Sequence, residues 1–276
     1  METEIIIIYN ICDELTKATD ITEDIQAKMG NAEVMTVVLT AARFFGGNIR
    51  NASDFLKEHG YIPNMLSESR LNRRIHAIDG SVWENLFCIL SETFKETNKG
   101  QEYIIDSFPV PVCDNIRISR CAILEGEDYR GYIPCKHRYF FGIRVHMIVT
   151  ASGKPVEFVI APGADTDVKV FKQMSFSIPE KSICYGDKAY NDYNHEDILL
   201  DGAGVIFRPF RKKNSLRATD SYIERLAARN TRKRIETVFS QITNFFPKKI
   251  HAVTKEGFLL KIISFIIAFS IRCLTV

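Results

Sequence analysis

Apolar residues recur at helical spacing through the first part of the chain. In VMTVVLTAARFF (34–45) they repeat at the period of a helix, and Gly46 and Gly47 end the pattern. Residues 51–78 predict a helix, a glycine-containing turn and a second helix that Ser67 would cap. Residues 1–98 are therefore predicted to form a helical domain.

After this helical region the pattern changes to that of strands. EYIIDSF (102–108) predicts a short strand, and Pro109 and Pro111 are expected to end it, because proline cannot continue a central strand. The alternating stretch YFFGIRVHMIVT (139–150) is followed by the turn ASG and by KPVEFVIAPG (154–163). Together these two stretches predict a β-hairpin.

The second half of the chain mixes helices with further strands. ADTDVKVFKQM (164–174) begins with helix-capping aspartates and predicts a crossover helix, whereas SICYGDKAY (182–190) and GVIFRPF (204–210) predict strands. A long basic helix and apolar helices then follow. This order implies an α/β domain over residues 99–276, with a mixed sheet and helices on its faces. The stretch 109–138 has weak periodicity and is interpreted as a partly irregular insert beside the active face.

The two helices predicted within residues 51–78 resemble a helix-turn-helix. The polar side of the second helix carries Arg70, Asn72, Arg73 and Arg74. Arginine and asparagine are side chains that read base edges in the major groove. An ordinary helical pair with a solvated face has the same pattern, so the sequence leaves both interpretations open.

Charge is distributed unevenly along the chain. The formal net charge is only +2, yet residues 208–234 contain ten basic and two acidic residues. A segment of this density favours a polyanionic partner, because neutralising phosphates releases condensed counterions. A solvated basic helix is the alternative.

Cysteine usage and the apolar segments disfavour a disulfide-rich, secreted or membrane-spanning protein. The seven cysteines include no C-x-x-C pair and no regular His/Cys spacing, which disfavours a zinc site or a disulfide framework. The opening METEIIIIYN lacks the basic start of a signal peptide. The apolar stretch 262–271 is shorter than the roughly 20 residues that span a bilayer, so it is interpreted as a buried core helix. We therefore expect a cytoplasmic protein.

Two aspartates lie at the ends of predicted strands. Asp106 follows YII and Asp187 follows ICYG. Ligands of open α/β sheets collect beyond the carboxyl ends of the strands, so acids at these positions can face a ligand. Each of them could instead cap a turn. Together they could bind a hard divalent cation such as Mg²⁺, which prefers carboxylate, phosphate and water oxygens.

A third carboxylate, Glu236, lies within the basic helix. At about 100° per residue, Glu236 falls on one stripe with Arg225, Arg229 and Arg232, beside the apolar stripe of the helix. An ion pair with Arg232 would contribute at most about 0.5 kcal/mol, and Arg before Glu is the weaker order. A role as third metal ligand therefore explains Glu236 better than local pairing. Three carboxylates that hold two metal ions could activate a water or a 3′-hydroxyl for phosphodiester chemistry.

Other residues near the same strand ends have roles that the sequence leaves open. Asp165 and Asp167 could be further metal ligands, although their place at a helix start favours capping. His146 lies within a strand and is interpreted as a satisfied core residue. The residues that could contact phosphate there are Lys188, Tyr190 and Arg208.

These residues belong to an ordered set of motifs that resembles one family. Bacterial insertion-sequence transposases of the DDE type have a similar series: IDSFPVPVCDNIRISR, RGYIPCKHRYFFGIRVHMIVTASGKPVEFVIAPGADTD, GDKAYND, FRPFRKKN and RKRIETVFSQ. The resemblance covers roughly residues 60–276, is strongest over 105–245, and is to the insertion-sequence family numbered nine-eight-two. The Y-x2-R-x3-E-x6-K signature of a neighbouring group is only partly present, because Arg229 and Thr243 occupy its Tyr and Lys positions.

The resemblance implies a ribonuclease-H-like catalytic fold and a DNA transposase. Asp106, Asp187 and Glu236 would form the catalytic triad and hold two Mg²⁺ (or Mn²⁺) ions. The enzyme would cleave the terminal inverted repeats of its element and join the 3′-hydroxyl to target DNA, as a homodimer or higher oligomer on DNA, in the cytoplasm at the nucleoid. The residues expected to bind DNA are Arg70, Asn72, Arg73, Arg74, Lys188, Arg208, Arg211, Lys212, Lys213, Arg225, Arg229 and Arg232.

Two other functions fit the same residues. A metal-dependent nuclease of the same fold would cleave DNA without strand transfer. A repressor from a decayed element would bind DNA without catalysis, although the presence of all three acids argues against decay.

Overall fold

The computed structural model describes residues 1–19, 27–113, 115–134, 137–211, 215–217 and 222–275, with the side chains of 115–116 and 222–232 outside the description. Its helices are α1 (Glu2–Ala18), α2 (Asn31–Phe44), α3 (Ile49–Glu58), α4 (Glu68–Ala77), α5 (Gly80–Thr97), α6 (Asp167–Phe171), α7 (Tyr193–Ala203), α8 (Tyr222–Thr243) and α9 (Lys255–Thr275). Its strands are β1 (Glu102–Cys113), β2 (Arg130–Ile133), β3 (Arg138–Thr150), β4 (Pro155–Pro162), β5 (Ile183–Gly186) and β6 (Ile206–Pro209). These elements form two compact units, residues 1–90 with 241–276 and residues 91–240.

The first unit is a helical bundle built around α2. Ten of the fourteen residues of α2 are buried, because α1, α3, α4 and α9 all pack on it. The helix ends at Phe44, and Gly46 and Gly47 follow with φ of 56° and 76°. Glycine adopts this left-handed backbone without steric cost, so the helix end predicted from the sequence is confirmed.

The apolar helix α9 lies within this same unit. By length and composition alone it could cross a membrane, but 56% of its most apolar window is buried inside the protein. The buried side chains include Phe258, Ile262 and the run 264–271, and the helix packs on α2. These contacts are those of a core helix.

Helices α3 and α4 correspond to the pair predicted within residues 51–78. Nine residues (59–67) connect them, including Gly60 with φ of 73°. A helix-turn-helix usually has a turn of about 3–4 residues, so this connection is longer. Ser67 occupies the N-cap position of α4, but its side chain makes no capping hydrogen bond, contrary to the expected cap.

The second unit contains a mixed sheet. Within the described residues the sheet has six strands in the order β2-β3-β1-β5-β6, and β4 pairs with β3. β1 is antiparallel to β3, whereas β5 is parallel to both β1 and β6. The predicted hairpin is formed by β3 and β4. The predicted α/β class, with a mixed sheet, flanking helices and an N-terminal helical region, is confirmed.

Strand β1 is longer than the sequence indicated. Pro109 and Pro111 were expected to end it, but it continues to Cys113 and pairs Pro109 with Arg144 and Pro111 with Gly142. β5 pairs with β1 only as far as Ile104, so the prolines lie where the described sheet has no strand on that side. Missing N–H groups are tolerated there, because no ladder hydrogen bond is lost.

The insert predicted at 109–138 is correspondingly shorter. Its first five residues belong to β1, and residues 130–133 form β2 at the edge of β3. Between them lie two short 3₁₀ helices, Asn115–Arg120 and Glu127–Tyr129. The weak periodicity of this region reflects short edge elements rather than irregular chain alone.

Substitution of Gly142 is expected to lower the stability of the protein measurably. A Cβ at this position would lie 2.2 Å from the Val110 carbonyl oxygen and 2.9 Å from Pro111 Cα, both of them backbone atoms. We expect Gly142→Ala to lower the free energy of unfolding by about 1–3 kcal/mol or more, as overpacking does. Urea unfolding measures the change. Gly202→Ala is the control, because a Cβ there meets nothing within 4 Å and should leave stability unchanged or slightly higher; equal losses would contradict the close approach at Gly142.

Candidate active site

Asp106 and Asp187 lie on neighbouring strands of the sheet. β1 and β5 are parallel, and their last aligned pair sets Ile104 opposite Tyr185. Carried two residues further, the same register sets Asp106 opposite Asp187. Neighbouring strands lie about 4.8 Å apart, so the two carboxylates extend from adjacent backbone positions.

Each aspartate is oriented by the backbone that follows it. Asp106 Oδ1 accepts a hydrogen bond from Ser107 N at 2.8 Å, and Asp187 Oδ1 accepts one from Lys188 N at 2.6 Å. Asp187 also occupies the N-cap of the 3₁₀ helix Lys188–Tyr190. Both side chains are half-buried, so they are fixed in direction while still reachable from solvent.

The two aspartates face the same side of the sheet. Side chains alternate along an extended chain, so Glu102 shares a face with Asp106, and Tyr185 shares one with Asp187. The Tyr185 hydroxyl donates to Glu102 Oε1 at 3.2 Å, so Tyr185 and Glu102 lie on the same face of the sheet. Asp106 and Asp187 therefore lie on that face as well. Asp187 keeps extended backbone angles, with φ of −76° and ψ of 169°, so the alternation holds through it.

Helix α8 covers that face. Phe108, two residues after Asp106, packs on Phe239 with ring centroids 4.7 Å apart. Glu236 lies about one helical turn before Phe239 and is exposed. All three predicted carboxylates therefore lie on one side of the sheet. Asp187 directly follows β5 and Glu236 lies on α8, but Asp106 lies within β1 rather than at a strand end as predicted, because β1 continues to Cys113.

The β3–β4 turn fixes the position of α8. Arg234 donates from Nε and from a terminal nitrogen to the Ser152 carbonyl, at 3.0 and 2.6 Å. Gly153 has φ of 92°, and a Cβ there would lie 2.8 Å from Val238 Cγ2. The buried residues of this part of the helix are Ile235, Val238, Phe239 and Ile242. The predicted apolar stripe is present at these four positions.

The comparison with protein families decides which class this arrangement belongs to. The model of the transposase DDE domain matches residues 96–252, which is more than half of the chain and includes all three carboxylates. The chain belongs to the DDE transposase family. A comparison with curated proteins finds no match. Membership confirms the resemblance to DDE transposases, whereas the family number nine-eight-two stays a prediction. The mixed sheet agrees with the ribonuclease-H-like fold that the resemblance implies.

In this transposase-family chain the three carboxylates do not form a closed ligand cluster. Among the residues that the structure describes, no group of three or more His, Cys, Asp or Glu is close enough to hold a metal ion. The oxygen donors nevertheless suit a hard cation, because Mg²⁺ is commonly held by one or two carboxylates with substrate phosphate and water. The in-register aspartates supply two such donors on one face.

The acids at the start of α6 have other partners. Thr166, not an aspartate, is the N-cap, with its hydroxyl accepting from Lys169 N at 3.3 Å. Asp165 pairs with Lys169 Nζ at 2.6 Å, and Asp167 accepts from Ser107 Oγ at 3.0 Å. The expected capping by these aspartates is therefore wrong, because the threonine hydroxyl takes the helix end.

His146 is buried, as expected of a core residue, but it is not fully satisfied. Its Nδ1 lies 3.2 Å from the Tyr190 hydroxyl, and its Nε2 has no hydrogen-bond partner within the described chain. Burial lowers the pKa of His146 to about 4. Tyr190 is itself only 1% exposed, so its expected contact with phosphate is not available.

The predicted DNA-binding residues fall into different environments. On α4, Arg70, Asn72 and Arg73 are exposed, whereas Arg74 donates to Asn31 Oδ1 at 2.9 Å. Arg208, opposite Tyr185 on β6, is half-buried on the carboxylate face.

The remaining predicted basic residues differ in the same way. Lys188 is exposed. Arg211 makes two hydrogen bonds with Glu196, at 2.7 and 2.6 Å, in a largely buried ion pair. Its guanidinium is therefore engaged within the protein. Outside the described residues lie Lys212, Lys213 and the side chains of Arg225, Arg229 and Arg232.

Proposed function

We propose that this protein is a DNA transposase that cleaves the ends of its element and joins the freed 3′-hydroxyl to target DNA. The observation that supports this best is the parallel β1–β5 register, which aligns Asp106 with Asp187 on the face covered by the helix of Glu236. Carboxylates from β1, from the residue directly after β5 and from α8 are a donor set suited to divalent metal ions at a phosphodiester.

Each of the three carboxylates has a distinct task in this proposal. Asp106 and Asp187, oriented by their neighbouring N–H groups, would hold the two ions on the sheet, and Glu236 would complete the set from α8. When bound, Mg²⁺ or Mn²⁺ would lower the pKa of an attacking water or 3′-hydroxyl and stabilise the leaving oxygen. Glu236 would have to move toward the aspartates when DNA enters, since among the described residues no three acids are grouped closely enough to hold a metal ion.

Basic residues around the carboxylate face would bind the DNA backbone. Arg208 is included because it shares the face of Asp187, and Lys188 is included because it directly follows Asp187. The exposed Arg70, Asn72 and Arg73 on α4 would contact the terminal inverted repeats. The protein would act in the cytoplasm as a homodimer or higher oligomer on DNA, so that the two ends of one element are processed together.

Purified protein, Mg²⁺ and DNA that carries the inverted repeats of the flanking sequence test this function. We expect nicks at the repeat ends and, from a pre-cleaved end with a free 3′-hydroxyl, products joined to a second DNA. Replacing Mg²⁺ with EDTA should abolish both reactions and leave DNA binding unchanged. DNA binding should weaken steeply as the salt concentration rises.

The outcomes separate the three candidate functions. Cleavage without joining from the pre-cleaved end would contradict a transposase and indicate a nuclease. Binding to the repeats without any Mg²⁺-dependent cleavage would indicate a repressor. A 3′-dideoxy end is the matched control for joining, because it lacks the attacking hydroxyl.

A further inference from the structure

A polar cluster, buried at His146 and Tyr190, lies on the face of the sheet opposite Asp106. Ser107 follows Asp106 in β1 and points to this other face, where His146 is its partner across the β1–β3 ladder. Asp167 of α6 accepts a hydrogen bond from Ser107 Oγ at 3.0 Å. The hydroxyl of Tyr190 completes the cluster, 3.2 Å from His146 Nδ1.

Tyr190 connects this cluster to the segment that carries Asp187. It ends the 3₁₀ helix that Asp187 caps, and its N–H donates to the Asp187 carbonyl oxygen at 3.0 Å. The Ser107 hydroxyl, which donates to Asp167, also lies near enough to the Tyr190 hydroxyl to influence its pKa. One side chain thus joins β1 next to Asp106, β3 at His146, and the segment of Asp187.

Packing alone does not favour such a cluster. Buried Nε of Arg144 and Nε2 of His146 have no hydrogen-bond partner among the residues the structure describes. An unsatisfied buried polar group costs about 1–3 kcal/mol, so apolar side chains would be more stable at this place. Burial also raises the pKa of Tyr190 well above its usual range, so the hydroxyl keeps its proton and can donate. A costly, directional set of hydrogen bonds calls for a role in geometry.

We propose that Tyr190 is a positioning residue for the two aspartates. Its buried hydroxyl holds the Asp187 segment against β1 and β3, so that Asp187 and Asp106 stay in register on the opposite face. The role of the aspartates as metal ligands rests on the proposed function. Tyr190 touches neither metal nor DNA in this arrangement; it acts through the backbone on which the two ligands sit. Partners of this kind typically change metal affinity or activity by about 10–100-fold.

Tyr190→Phe tests this inference, because it removes the hydroxyl and keeps the ring that lies 6.0 Å from the Phe171 ring. We expect the Mg²⁺ concentration that half-saturates DNA cleavage to rise about 10–100-fold, with much of the rate restored at saturating Mg²⁺ and DNA affinity in EDTA unchanged. Amide hydrogen exchange over residues 187–190 of the free protein should become faster. Tyr185→Phe is the matched control: it removes a hydroxyl from β5 itself, one that donates to Glu102, and should change neither quantity.

Each result decides the inference. Unchanged exchange at 187–190, faster exchange with an unchanged Mg²⁺ requirement, or equal effects of the two tyrosine variants would overturn it. If the unmodified protein shows no Mg²⁺-dependent cleavage, the proposed function fails instead, and the exchange rates alone then support or overturn the positioning of the Asp187 segment. Should Tyr190→Phe reduce the yield of folded protein, Ser107→Ala removes another hydroxyl of the same cluster and is measured in the same two assays.

Discussion

Asp106→Asn, Asp187→Asn and Glu236→Gln are each expected to lower the rate of Mg²⁺-dependent DNA cleavage by at least about 10³-fold. The reason is that metal ions supply several kcal/mol of transition-state stabilisation, and about 1.4 kcal/mol corresponds to a factor of ten in rate. Each amide keeps the shape of the acid and loses its charge, so the ions lose a ligand while the fold is retained. Cleavage of labelled repeat-end DNA measures the rate, and gel shift in EDTA measures binding, which should be nearly unchanged.

Asp165→Asn is the matched control for the triad variants. Asp165 lies in the same unit, but its carboxylate pairs with Lys169 at the start of α6. Its substitution should leave cleavage within a few-fold of the unmodified protein, because a pair whose lysine is 57% exposed contributes at most about 1 kcal/mol. Full strand transfer by any one of the three triad variants would remove that residue from the proposed ligand set.

Glu196→Gln is expected to lower the free energy of unfolding by about 3–5 kcal/mol, the usual cost of removing one partner from a buried ion pair. Glu196 and Arg211 have side-chain exposures of 3% and 10%, and Arg217 adds a second contact with Glu196 at 2.9 Å. Without the carboxylate, the Arg211 guanidinium is left buried and uncompensated. Urea unfolding followed by circular dichroism measures the loss.

Glu127→Gln provides the comparison for an exposed pair. Glu127 and Arg130 lie 2.8 Å apart, with exposures of 80% and 44%. Pairs of this kind contribute less than about 1 kcal/mol, so the two glutamate variants should differ clearly in stability. Similar small losses in both would show that the Glu196 pair is solvated. A large loss for Glu196→Gln would instead mean that variants of Arg211 weaken DNA binding through stability as well as through any contact with phosphate.

Much of the fold was predictable because its signals are local. The end of α2 follows from two adjacent glycines, and the β3–β4 hairpin follows from alternation and a short turn. The length of β1 was not predictable, because Pro109 and Pro111 are tolerated only where no neighbouring strand needs their N–H groups. That condition depends on where β5 ends, which is a property of the sheet and not of the residues around the prolines.

Part of the candidate site was likewise predictable from local sequence patterns, and part was not. Asp106 and Asp187 could be singled out because each follows a run of apolar strand residues, although Asp106 in fact lies within β1. Glu236 could be singled out because helical periodicity sets it beside the apolar stripe of α8. The buried partners of Arg211 and Tyr190 could not be found, because Glu196 and His146 are distant in sequence and reach them only through tertiary packing. The packing of α9 on α2 is equally remote from any local pattern.

The parallel alignment of β1 with β5 also determines which changes in chain length the protein can tolerate. The pairing of β1 with β5 brings Asp106 and Asp187 to the same level of the sheet, so the number of residues between them is free to vary wherever the chain lies outside the paired strands. An insertion near 121–126, between the two short 3₁₀ helices, leaves both aspartates opposite each other. A single residue deleted within 103–105 would instead turn Asp106 to the far side of the sheet, because side chains alternate with a period of two. Relatives of this chain should therefore be recognised by strand context around each acid rather than by the distance in sequence between them.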